Sequence, residues 1–162
     1  MVNARNFWQF RQLGWTPPPS YIVPMLEPSD FSKGKAPPPT LAQFEQMAAD
    51  AYARLPHEFR NLCQDLVIRV DDFPTTEVLA AMRAESRYDL LGLFHGIGLP
   101  FRPEVTGLMP NMIWLYRRPI LAYWFEHEDS LQAIVTHVLV HEIGHHFGLS
   151  DDDIAAIEAA AD

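Results

Sequence analysis

With 162 residues, 48% of them apolar, the chain has material for one domain with a true core and too little for two ordinary ones. Its single cysteine, Cys63, excludes an internal disulfide; Asn, Arg and Gln interrupt the first eleven residues where a signal peptide must be apolar. The net charge of −9 lies wholly in residues 126–162, which carry nine acids and no Lys or Arg, and this distribution speaks against nucleic acid as a partner.

No apolar run approaches the roughly 18 residues that span a bilayer. A cytoplasmic protein without a membrane partner is therefore the expectation. A bound divalent cation or a basic partner would relieve the acidic segment.

Residues 1–39 read as an N-terminal arm. They hold 8 of the 14 prolines, and proline neither continues a helix nor donates to a sheet ladder. The arm also carries Phe7, Trp8, Phe10, Trp15, Tyr21 and Phe31, large apolar surfaces that favour packing onto the domain or a neighbouring chain. The domain proper spans 40–162. Thr40 and Gln43 form a capping box, and Leu41, Phe44, Met47, Ala48, Ala51, Tyr52 and Leu55 follow the helical period. A short helix starts at Pro56 and runs to about Cys63. Leu66 to Val70 reads as a strand, Thr76 to about Arg87 as a helix, and Leu90 to Phe94 as a second strand before a turn at Gly96 and Gly98. Met112 to Arg117 is the strongest strand, bounded by Pro110-Asn111 and Pro119.

A helix from about Ser130 to Phe147 follows, capped by Asp129 or Ser130 and stopped at Gly148. Its apolar residues lie on most sides, the mark of a buried helix. Ser150 and three aspartates then open a last helix. Residues 141–151 read HEIGHHFGLSD. His141 and His145, four apart, project from one face about one turn apart, within reach of a single ion. Glu142 leans toward the open side of that ion without binding it, placed to take the proton of an acidified water. Gly148 reverses the chain so that Asp151 returns as a third, oxygen ligand; Asp152 or Asp153 is the fallback. Two imidazoles and one carboxylate with a fourth position left for water are the donor set of a catalytic zinc site, and iron or manganese also suits it.

HEIGHHFGLSD has the H-E-x-x-H-x-x-G-x-x-D pattern of metzincin-type zincins, with Asp where most have a third His. The segment from Leu55 onward resembles the small bacterial family of zincin-like metallopeptidases, in which a helix beginning LPxE, an LYRRP-like strand and HEIxHHFG occur in this order. The matching residues are Leu55-Pro56-His57-Glu58, Leu115-Tyr116-Arg117-Arg118-Pro119 and His141 to Gly148. The resemblance implies a compact α+β zincin fold, a small mixed sheet packed against a buried active-site helix, with one zinc per chain. It implies His141, His145 and Asp151 as ligands and Glu142 as general base. It also makes the strand 112–117 an edge strand along which a peptide or protein substrate adds.

The sequence departs from larger metzincins in one respect: no methionine follows Met112, so the methionine turn beneath the metal is missing. A zinc-containing binding or regulatory module is therefore the alternative to a zinc-dependent peptidase. A metal-dependent RNA hydrolase is the third reading, opposed by the acidic segment and by Glu142. Among the remaining residues, His137 reads as a packed core histidine and His146 as a structural hydrogen-bonding one. Gly144 marks a close approach, Tyr116 core or rim, and Cys63 a buried thiol. Arg117 and Arg118 are expected to pair with the acidic C-terminal segment. Oligomeric state and substrate identity stay open.

Overall fold

The computed structural model describes residues 37–103 and 109–160, with residues 157–160 as backbone alone. All but the last three residues of the expected arm lie outside that range. The first element, α1 (Leu41–Ala53), opens with the capping box read from the sequence: the Thr40 hydroxyl accepts from Gln43 N–H while the Gln43 side chain accepts from Thr40 N–H. There follow α2 (His57–Leu62), β1 (Leu66–Asp71), α3 (Thr76–Ala81), β2 (Gly92–His95), a 3₁₀ turn at Leu99–Phe101, β3 (Asn111–Tyr116), α4 (Arg117–Glu126), α5 (Leu131–His146) and α6 (Asp151–Ala160). Helices around a three-stranded mixed sheet make this an α+β fold.

The strand order is β1-β3-β2, with β1 parallel and β2 antiparallel to β3. The expectation of an edge strand at 112–117 is thus corrected: β3 is the middle strand, paired along both edges. The central position removes most apolar surface from water, and Ile113 and Leu115 are fully buried there. A peptide finds no free edge there. Arg117, read as the end of this strand, is the first residue of α4.

Helix α5 packs against β2 and β3, while α1 packs against α5 and β1. Phe44, Leu91, Ile113, Leu115, Val135, Val138 and Leu139 form the centre of one core beneath the sheet. The helix expected over 76–87 stops at Ala81. Arg83 adopts a left-handed φ of 51°, and Asp89 Oδ2 then accepts from the N–H groups of Glu85 and Ser86. That local side-chain bond competes with continuation of the helix. Among the described residues no helix is long and apolar enough to cross a membrane.

Candidate metal centre

Helix α5 begins at Ser130, whose hydroxyl accepts from Ala133 N–H, and it is buried on most sides, with Ile134, Val135, Val138 and Leu139 at or below 1% exposure. Such a helix presents His141 and His145 at fixed positions, because its rotation is set by packing all round. It ends in a Schellman motif: Gly148 N–H bonds His145 C=O and Leu149 N–H bonds Gly144 C=O. Gly148 has φ +84°, and a Cβ there would meet Pro100 at 3.0 Å. A side chain is therefore disfavoured twice at this position, by the backbone angle and by Pro100.

The reversal brings α6 back across the helix it follows. Gly144 is where the two meet, since a Cβ at 144 would lie 2.7 Å from Ile154 Cδ1. This is the close approach that a glycine inside the helix implies. The crossing sets Asp151 Oδ1 3.0 Å from His141 Nε2 and 3.2 Å from His145 Nε2. The two imidazole rings are 4.9 Å apart at 74°. His145 Nδ1–H donates to Leu149 C=O at 2.8 Å, which fixes the ring and turns Nε2 toward Asp151. Ligand atoms of the three residues all lie within 4.8 Å of one another.

Does this donor set fit a metal? Tetrahedral zinc bonds of about 2.0–2.1 Å place neighbouring donor atoms roughly 3.3 Å apart. The observed 3.0 and 3.2 Å are close to that edge. Burial pushes the His141 imidazole down to about 4, so the ring is neutral near pH 7, the form that coordinates. The three side chains fit a zinc ion.

Glu142 stays outside the cluster. It is fully buried, and Oε2 accepts from the main-chain N–H of Phe94 on β2 at 2.7 Å. Asp152 is exposed, and Asp153 Oδ2 accepts from Ser150 N–H and Oγ–H. Of the three aspartates, only Asp151 joins the histidines. His146 is fully buried; its Nε2–H donates to Leu62 C=O, and its Nδ1 accepts from Asn111 Nδ2–H at 2.9 Å. Asn111 also bonds both main-chain groups of Ile97. His137 lies in the core at 5% exposure, and its pKa is lowered to about 4, first by burial and then by His141. Tyr116 is buried too, and burial, followed by Asp71 and Glu142, raises its phenol above the usual range.

One expected pairing is corrected. Arg117 pairs with Asp72 at the end of β1, 2.6 Å away, and its Nη1 donates to Pro39 C=O at 2.8 Å. Arg118 also faces Asp72, at 3.9 Å, and neither arginine pairs with the acidic C-terminal segment among the described residues. The start of α4 lies at the C-terminal ends of β1 and β3, which puts Asp72 within reach. Sequence reasoning missed the Phe94 N–H and Asn111. The glycine at 92, inside a strand, was the available signal, because such a residue marks a close approach of another element.

An H-E-x-x-H helix under a small mixed sheet, with a third oxygen donor beyond a glycine turn, defines a zincin-like protein. The sequence bears this out over residues 63–161, which match the profile of the zincin-like metallopeptidases, and the chain belongs to that family. The family implies zinc binding and zinc-dependent hydrolysis of peptides. A comparison with curated proteins finds no match.

Proposed function

We propose that the protein is a zinc-dependent peptidase that holds one zinc per chain through His141 Nε2, His145 Nε2 and Asp151 Oδ1. The observation that carries this reading is the convergence of both Nε2 atoms on one carboxylate oxygen, at 3.0 and 3.2 Å. A zinc ion held there supplies a Lewis acid that polarises a peptide carbonyl and acidifies water.

The chain's own residues supply the rest. Leu149 C=O holds the His145 ring so that one nitrogen is always presented, and burial keeps His141 neutral. Asp151 adds a carboxylate charge to a donor set otherwise made of imidazoles. Glu142 acts as general base: it removes a proton from the attacking water as the new C–O bond forms. The same proton then passes to the amide nitrogen as the C–N bond breaks. Burial of Glu142 excludes bulk water from competing for that carboxylate.

A peptide substrate would lie along the outer edge of β2, beside Glu142, and bond to main-chain groups other than the Phe94 N–H that Glu142 already holds. The test is Glu142→Gln, with zinc measured by elemental mass spectrometry and turnover on a peptide library. The variant is expected to keep its metal and lose about 10²–10⁴-fold in rate. Full turnover in Glu142→Gln would remove the general base from the reading. Zinc-dependent stability in a wild-type protein that cleaves no peptide would favour a binding or regulatory module instead.

A further inference from the structure

We infer that the main-chain N–H of Phe94 aims the Glu142 carboxylate, which makes Phe94 a positioning residue for the hydrolysis. This rests on the general-base role proposed for Glu142 and adds to it the group that holds the base in place.

The pairing of β2 with β3 decides which of its groups are free. Tyr116 N–H bonds Leu91 C=O, and the register pairs Leu93 with Trp114 and Phe94 with Ile113. In an antiparallel ladder, hydrogen-bonded pairs alternate with non-bonded ones. Leu91 and Leu93 therefore point their main-chain groups at β3, while Gly92 and Phe94 point theirs outward. The outward N–H of Phe94 does not wait for solvent or a substrate: it donates to Glu142 Oε2 at 2.7 Å. This short bond to a carboxylate is of the charge-assisted kind.

Gly92, two residues earlier on the same edge, makes room for the contact. A Cβ there would lie 2.6 Å from Val138 Cγ1 and 3.1 Å from Glu142 Oε1. Both carboxylate oxygens thus rest against the outer edge of β2, one on an N–H and one over a bare Cα. A glutamate next to a metal-binding histidine has a free alternative, which is to coordinate the metal itself. A donor on the strand keeps it off the metal and at one distance from the edge where a peptide would lie.

The experiment removes that single N–H by incorporating phenyllactate at position 94, an amide-to-ester exchange that keeps the side chain. The zinc-loaded ester protein is expected to hold wild-type metal and an unchanged KM, while kcat falls about tenfold or more through misplacement of the base. A second measurement needs no activity. In the metal-free protein the ester should lower Tm by several degrees, because a buried carboxylate loses a donor, and the drop should shrink in a Glu142→Leu background. Phe94→Pro, compared with Phe94→Ala, repeats the test genetically, since an outward-facing edge position tolerates proline. Wild-type kcat in the ester protein, or an equal Tm drop in both backgrounds, overturns the inference. Failure of the underlying reading looks different: Glu142→Gln would keep turnover while the Tm coupling between positions 94 and 142 persists.

Discussion

Asp151, Asp152 and Asp153 follow one another on the first turn of α6, yet each is used differently. Asp153 caps its own helix through Ser150, Asp152 faces solvent, and Asp151 is turned onto both histidines. Asp151→Asn keeps an oxygen in place but removes the charge. It should weaken zinc binding at least tenfold in competition with a chelator, the loss known for even the supporting residues of such sites. Asp152→Asn should bind zinc as the wild type does, and equal losses in the two variants would contradict this division of roles. His137 makes a separate prediction, about pH. Its pKa is lowered to about 4 from an ordinary 6.5, so between those values the unfolded chain binds the proton and the folded one does not. Stability therefore rises with pH across that window and is lost as pH falls through it, by up to about 3 kcal/mol for this group. Denaturant titrations of the metal-free protein at pH 7 and pH 4.5 should show the loss, and His137→Leu should reduce it, leaving the part due to His141, whose pKa is lowered in the same way. An unchanged slope in that variant would mean that other groups carry the pH dependence.

Among the elements, those with local signals were legible and those shaped by their neighbours were not. Thr40 and Gln43 announce α1, Ser130 announces α5, and Gly148 announces its end; each signal is a backbone group satisfied within a few residues. The histidine pair and Asp151 were legible for the same reason, since a helix period and one glycine turn place them. Helix α4 was missed because it starts directly from β3, without a side-chain cap at Tyr116. Pro119, read as the strand's stop, sits in its first turn, where a missing N–H costs nothing. The central place of β3 depends on β1 and β2, and no pattern within residues 112–117 reveals it. The Phe94–Glu142 bond joins positions 48 apart and uses a main-chain donor that every residue type offers. The legible turn at Gly148 can be tested. Gly148→Ala must hold φ +84° with a side chain and press on Pro100, so it should cost about 1–2 kcal/mol or more. It should also weaken zinc binding, because Leu149 C=O, which orients His145, moves with the turn. Retention of wild-type zinc affinity would separate the turn from the site.

Over the whole molecule, the family match begins at residue 63, yet the core does not. Helix α1 lies before it and supplies Phe44, Met47, Ala48 and Ala51, all buried, to the same cluster as α5. The site thus stands on a helix that the match does not include. At the other end, α6 has a smaller hold on the body of the protein: among its residues with described side chains only Ile154 is buried, set against Gly144. Asp151 lies at its first turn, so a metal shared by Asp151 and the two histidines would tie α6 to α5. It would also add positive charge where the sequence concentrates its acids. A ligand that binds only the folded chain stabilises it by about 4 kcal/mol at a thousandfold excess over Kd. Chelation should therefore lower Tm, and hydrogen exchange should locate the loss. Amides of α6 and of the Gly144–Leu149 turn should lose protection first, while β3 and α1, which owe their burial to the core, keep theirs. Uniform loss across the chain would instead make the metal a condition of the whole fold. Unchanged exchange and Tm on adding and removing zinc would leave the three side chains an ion pair within the protein and remove the metal from its function.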